Sequence, residues 1–308
     1  MNKEYLQNFD DEINLKELFL ALWNKKVLIS SITTFAAIIA VLYSLSLPNI
    51  YISNAILAPT SSEDSLSNKL GGYSSLAGLA GFGLPEGSAS KSTEAIERIR
   101  SYDFFVDQFI PNIKFENLVA AKNWTKASNI LNYDLKVFNK TNNEWVISDK
   151  APFLSKPSYQ EAYEIYREIL TISEDKKTSF ISISIEHISP FIAERWLKLI
   201  IQNINNHMRE LDKSIAQNSI DFLNITAQKT NLSEMKVVIF KLVESQVQIL
   251  TLAEANKDYI FKAISSPIAP EKKSKPSRST ISMLLTLLGF MASIIISLLL
   301  HYFNFKKN

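Results

Sequence analysis

The chain has 308 residues, a formal net charge of +2, ten prolines, seven glycines and no cysteine. Without cysteine there are no disulfide scaffolds, thiol nucleophiles or cysteine-ligated zinc and iron–sulfur centres. A charge this close to zero also removes the usual basis for nucleic-acid binding.

Residues 1–26 form a mixed-charge arm with Ile13, Leu15, Leu18, Phe19, Leu22 and Trp23 at helical spacing. It reads either as an amphipathic helix on a membrane surface or as an extension of the run that follows. Residues 27–47 then continue for about 21 residues without a charge, and residues 281–303 for about 23 with His301 as their one titratable group. A helix needs about 20 apolar residues to cross a bilayer, so two transmembrane helices are expected. A cleaved leader does not fit the first run, which is too long and follows Asp10, Asp11, Glu12 and Glu17.

Lys16, Lys25 and Lys26 precede the first run, and no further Lys or Arg occurs until Lys69. This bias predicts cytoplasmic termini, with Lys306 and Lys307 in a short tail at 304–308, and an extracytoplasmic domain at 48–280. Lys272, Lys273, Lys275 and Arg278 lie on the opposite side under this scheme. Long loops cross largely regardless of charge, so the first span is expected to decide.

Within 48–280 the expected class is α+β. Residues 51–58, YISNAILA, predict a strand ending at Pro59, and 61–92 an irregular Ser/Gly/Leu-rich loop. The Gly78–Leu–Ala–Gly81–Phe–Gly83 run lacks both the spacing and the Lys–Ser/Thr of a phosphate loop. Residues 93–110 predict one helix stopped by Pro111, 133–138 a strand, 158–170 a helix and 178–187 a half-buried strand.

From 190 to 230 only the first residue is a helix breaker, and apolar residues step four and three: Leu197, Ile201, Ile204, Met208, Leu211, Ile215, Asn218, Phe222, Ile225. Such a seam predicts a long helix packed lengthwise on another, with Asn218 setting register. A second helix at about 233–256 offers Met235, Ile239, Leu242, Gln246, Ile249 and Ala253, with a bend and cap at Asn231–Leu–Ser233. Residues 259–264 then predict a strand returning beside 51–58. The whole is expected to be a helical hairpin standing on a mixed sheet.

This order of features resembles the polysaccharide co-polymerases, the chain-length determinants of bacterial surface polysaccharide. The resemblance rests on Asp11-Glu-Ile-Asn-Leu-Lys-Glu-Leu-Phe before the first span, and on Tyr51 with Ala55-Ile-Leu-Ala-Pro59 just after it. It continues in the Gly/Ala/Leu stretch at 76–83, Ile188-Ser-Pro-Phe-Ile-Ala-Glu-Arg-Trp196, the Asn205 to Met208-Arg209 region, and Pro267, Pro270 and Pro276.

The resemblance implies a bacterial inner-membrane protein with a periplasmic α/β domain carrying a long helix, assembling as a homo-oligomer. It also implies a partnership with a membrane polysaccharide polymerase acting on lipid-linked oligosaccharide or growing polysaccharide. Some relatives continue into a kinase. Here the chain stops at Asn308 without GxxxxGK[ST], so a kinase, if the system uses one, is expected on a separate chain.

Three sets of residues stand out. Pro267, Pro270 and Pro276 predict a stiff extended strut, with Lys272, Lys273, Lys275 and Arg278 either at lipid or pyrophosphate anions or simply solvated. Ala36, Ala40 and Ser44, with Gly289, Ser293 and Ser297, form small-residue stripes suited to close packing of the spans together or against a polymerase. The nine-position helix seam is the third. His187, His207 and His301 are the only histidines, and no carboxylate pair has acid–base spacing, so no catalytic, cofactor-binding or metal-binding residue is expected. Beside this scaffold reading stand a two-span periplasmic sensor and an export adaptor.

Overall fold

A computed structural model describes residues 22–60, 90–146 and 156–307, with side chains described up to residue 300. The amphipathic arm through residue 21, the glycine run at 78–83 and the His301 side chain lie outside the described residues. The chain divides into two compact units, Met1–Pro48 with Lys275–Asn308, and Asn49–Ser274.

The first unit is built on α1 (Lys26–Ser46) and α6 (Arg278–Lys307). Both are long and apolar enough to cross a membrane. Large side chains such as Val27, Leu42, Met283 and Leu284 are exposed along them, whereas a soluble core helix of this composition would bury them.

The second unit is an α+β domain. In chain order it contains β1 (Tyr51–Pro59), α2 (Lys91–Arg100), two small hairpins formed by β2 (Ala121–Thr125) with β3 (Ile130–Tyr133) and β4 (Phe138–Asn139) with β5 (Glu144–Trp145), and α3 (Tyr159–Ile169). There follow β6 (Leu170–Glu174), β7 (Ile181–His187), α4 (Pro190–Lys229), α5 (Ser233–Ala255) and β8 (Phe261–Ser265). The main sheet has the order β6-β7-β1-β8.

Every ladder in it is antiparallel, not mixed as the sequence suggested. β7 and β8 do run the same way, but β1 lies between them and separates the pair that would have been parallel. Register follows period-two alternation: Tyr51, Ser53, Ala55 and Leu57 are buried, opposite His187, Ile185, Ile183 and Ile181. The first half of α4 covers this face with Ala193, Trp196, Leu197, Ile200, Ile204 and Met208. Phe105 and Phe109 close the core against Tyr166, 5.1 and 4.9 Å between ring centroids.

Local chemistry sets the ends of these elements. Ser158 and Glu161 form a reciprocal capping box that starts α3. The single helix expected over 93–110 instead begins at Lys91 and breaks at Ser101. The Ser101 hydroxyl donates to Arg98 O at 2.7 Å and accepts from Phe104 N at 3.2 Å, ending one helix and starting the next turn. The chain continues as a short α turn (Tyr102–Phe104), a π turn (Phe105–Phe109) and a 3-10 turn (Ile110–Asn112).

The strand expected over 133–138 ends at Tyr133. There Asp134 accepts from the backbone of Val137 and Phe138, and its carboxylate from Lys136 N, closing a turn. No expectation covered β6, which follows α3 without a breaker. At the hairpin bend, Asn231 to Ser233 supplies no side-chain cap to α5.

Candidate functional site

The hairpin of α4 and α5 exposes a series of large apolar residues. In the first half of α4 Leu197, Ile201, Ile204 and Met208 are buried, in the core over the sheet rather than on a second helix as expected; Leu211 is half-buried. Beyond it Ala216 is buried, and Leu223 and Ala227 pack with Ile239, Leu242 and Val243 of α5. Ile215, Asn218, Phe222 and Ile225 are exposed.

The reason is a change of partner. At about 3.6 residues per turn Ile215 lies about five turns after Leu197, and Phe222 about five turns after Ile204, so both keep the face that covers the sheet in the first half of α4. Leu223 and Ala227 lie roughly a quarter turn round the helix, on the face that meets α5. On α5, Ile239, Leu242, Gln246, Ile249 and Ala253 are buried or half-buried as expected, while Met235 is exposed. Each helix therefore carries a second, outward stripe: Ile215, Asn218, Phe222 and Ile225 on α4, and Val237, Phe240, Glu244 and Val247 on α5. Sequence reasoning missed the α5 stripe, although its four-and-three spacing was visible in Val237, Phe240 and Val247.

The proline segment is seated on the domain. Pro267 is buried and Pro270 half-buried. Ser53 Oγ donates to Ile268 O at 2.9 Å, and Ser274 N donates to Ile50 O at 2.8 Å. The segment thus continues the course of β8 beside β1, but Pro267 and Pro270 lack the N–H that a ladder needs. Lys272 and Lys273 are exposed.

In the other unit, Pro276 is half-buried and Lys275 is exposed. Arg278 is the first residue of α6 rather than a solvated flank. Its guanidinium donates to Leu47 O at 3.2 Å, and its carbonyl accepts from Ser44 Oγ at 3.1 Å.

Within that unit α1 and α6 pack antiparallel. Ala40, Ser44, Ser293 and Ser297 are all buried. A Cβ added at Gly289 would overlap Ala36 Cβ, so the two backbones meet there at a distance that only glycine permits. Thr33 Oγ1 and Ser293 Oγ stand 3.5 Å apart one turn further on.

This contact makes a direct prediction. Cysteines at Thr33→Cys and Ser293→Cys, in a chain with no other cysteine, should cross-link efficiently in membranes under mild oxidation. Adding Gly289→Leu should cut that yield at least about tenfold by forcing the helices apart. Equal yields would refute the close contact.

His187 donates from Nε2 to Asn117 O at 3.0 Å and accepts at Nδ1 from Ser189 N at 2.9 Å, and burial lowers its pKa to about 4. His207 is half-buried, with its pKa lowered by burial and by Arg98. Among the described residues no group of three or more His, Asp or Glu is placed to hold a metal ion.

These features describe a class: an α+β domain with a tall helical hairpin, in a chain that also has two helices of membrane-spanning length. Residues 11–108, about a third of the chain, match the family model for Wzz, chain length determinant protein, and the chain resembles Wzz-type determinants over that segment. Among solved structures, similarity is found to a full-length bacterial polysaccharide co-polymerase, at 13% identity and TM-score 0.40, covering 94% of this chain and 97% of that one. A fragment of WzzB, a polysaccharide co-polymerase from Salmonella Typhimurium, aligns at 15% identity and TM-score 0.32, covering 74% of this chain and all of the fragment. Among curated proteins none matches at a significant level.

Proposed function

We propose that this chain is a non-catalytic scaffold of a bacterial inner membrane that sets the chain length of a surface polysaccharide. The observation that carries the reading is the match of residues 11–108 to the chain length determinants. In this scheme α1 and α6 span the membrane, both termini are cytoplasmic and the α+β domain is periplasmic. Sister copies assemble through the outward stripes of the hairpin. The assembly works with a membrane polymerase and holds it on the growing, lipid-linked polysaccharide for a limited number of additions.

The geometry supports the assembly step. Ile215, Phe222 and Ile225 are each at least half exposed, and fully burying such a side chain contributes about 1.5–3 kcal/mol. A stripe of this kind along a rigid helix is suited to pack on another helix.

Two measurements test the reading. In a strain lacking the gene, surface polysaccharide run on a gel should lose its modal band and shift to a broad distribution, and the native chain should restore the band. The double variant Phe222→Asp, Ile225→Asp should fold normally, run as a smaller species in detergent by light scattering, and fail to restore the band. An unchanged length distribution in the deletion strain would defeat the functional reading. Unchanged size of the double variant would defeat the role given to the α4 stripe.

A further inference from the structure

Within the α+β domain a cleft of about 420 Å³ opens between the last turn of α2, the second half of α3 and the start of β6. Glu97, Arg100, Tyr163, Tyr166, Arg167 and Leu170 line it. Its volume falls in the range of small-molecule sites, roughly 300–1,000 Å³. Most such sites are apolar, whereas this one is walled mainly by two guanidinium groups, a carboxylate and two tyrosines.

The walls are held in place by bonds between the three elements. α2 ends at Arg100, and the last carbonyls of a helix have no partner within it. Tyr166 Oη donates to Ile99 O at 2.8 Å and Tyr163 Oη donates to Arg100 O, so two side chains of α3 pin that helix end. Arg100 reaches across to β6, giving one N–H to Ile172 O at 3.1 Å and another to Glu97 Oε1 at 2.8 Å. Arg167 lies over the Tyr163 ring, 5.9 Å from its centroid, and donates to Glu164 Oε2 at 3.3 Å. A site fixed in this way loses little freedom when a ligand enters.

The charges point to the kind of ligand. Each guanidinium already stands beside a carboxylate, Arg100 by Glu97 and Arg167 by Glu164, so the cleft holds no uncompensated cation for an isolated anion. It offers directional hydrogen bonds instead. A guanidinium carries five N–H donors and a carboxylate about four acceptor sites, more than these groups spend on one another. The Arg100 and Arg167 side chains are 47% and 59% exposed, which leaves the remaining sites open to solvent. The paired N–H groups of a guanidinium, or the two oxygens of a carboxylate, can engage two neighbouring groups at once. Adjacent hydroxyls on a sugar ring present such a pair.

We propose that this cleft binds a short saccharide segment, with Arg100 and Arg167 donating to its hydroxyls and Glu97 accepting from them. The inference rests on the function proposed above and deepens it: the sugars belong to the polysaccharide whose length is set, and the cleft gives the domain its own hold on that polymer.

The experiment uses the full chain in bilayer discs and oligosaccharide repeat units released by mild acid from the surface polysaccharide of the same strain. Contact is read by saturation-transfer NMR and affinity by titration. The native chain should show transfer to the sugar protons. The double variant Glu97→Gln, Arg167→Ala changes two exposed side chains, should keep its near-ultraviolet circular dichroism, and should bind at least about tenfold more weakly through the lost hydrogen bonds. Arg167→Lys, which keeps the charge but not the fork, should recover only part of the loss.

Absence of transfer to the oligosaccharide would overturn the proposal, and so would equal affinity in the double variant, which would put the sugar elsewhere. Displacement of the oligosaccharide by an equal concentration of inorganic phosphate would make the cleft an anion site and overturn it as well. The deletion strain reports on the function separately. A lost modal band without oligosaccharide binding refutes the cleft alone, and binding with an unchanged deletion strain upholds the cleft and defeats the function.

Discussion

Asn205→Leu is expected to lower the stability of the domain by about 4 kcal/mol. Asn205 is 3% exposed in the middle of α4 and makes four hydrogen bonds. Its Oδ1 accepts from Ile260 N at 2.8 Å and Phe261 N at 2.9 Å, and its Nδ2 donates to Phe261 O at 3.0 Å and Ile201 O at 3.2 Å. β8 is an edge strand paired only with β1, and Asn205 satisfies backbone groups where the chain enters that strand.

Leucine has similar volume but no polar atoms. Three backbone groups of Ile260 and Phe261, both buried, would then lack partners. Each buried orphan costs about 1–3 kcal/mol, and relaxation should recover part of the sum. Against a typical total stability of about 5–15 kcal/mol, such a loss should bring the domain close to unfolding. The measurement is the urea midpoint of the full chain in detergent, followed by near-ultraviolet circular dichroism, with amide exchange at 261–265 as a local readout. A loss below about 1 kcal/mol, with β8 still protected, would show that the clamp is dispensable.

Acid should weaken the domain through His187. Burial holds its folded-state pKa at about 4, against an ordinary value of 6.5. Above pH 6.5 the ring is neutral in both states and has no effect. As the pH falls from 6.5 toward 4, the unfolded chain takes up a proton that the folded chain refuses, so stability falls; below about 4 the difference is constant.

At 1.36 kcal/mol per pH unit the loss from this one group reaches about 3 kcal/mol. The geometry accounts for the refusal. Nδ1 already accepts from Ser189 N at 2.9 Å and has no room for a proton, and the ring is packed edge-on against Trp196, centroids 4.8 Å apart. His187→Gln can keep a donor toward Asn117 O and an acceptor toward Ser189 N, and it does not titrate. The native chain should therefore lose about 3 kcal/mol more than the variant between pH 7 and pH 4. Parallel profiles for the two would refute the assignment.

Much of this architecture was legible in local patterns. Alternation through Ile181, Ile183 and Ile185 marked β7, Pro59 marked the end of β1, and the breaker-free run after Pro190 marked α4. These are periodicity and chain-stiffness effects that act within a few residues. The four-residue recurrence of Ala36, Ala40 and Ser44, and of Gly289, Ser293 and Ser297, was likewise visible. Where local patterning erred, a side chain had chosen between competing local bonds, as the Ser101 hydroxyl did in breaking one expected helix into two.

By itself, then, the sequence determined the element types along most of the domain, the two apolar runs, and the presence of a long helix with a four-and-three stripe. Each depends only on neighbours a few positions away. Tertiary structure decided which stripe faces which partner. The placement of α5 buried Leu223 and Ala227 and left Ile215, Phe222 and Ile225 exposed. Tertiary structure also decided that Asn205 clamps the entry to a strand some 55 residues later. Those outcomes depend on distances between segments far apart in the chain, which no local pattern encodes.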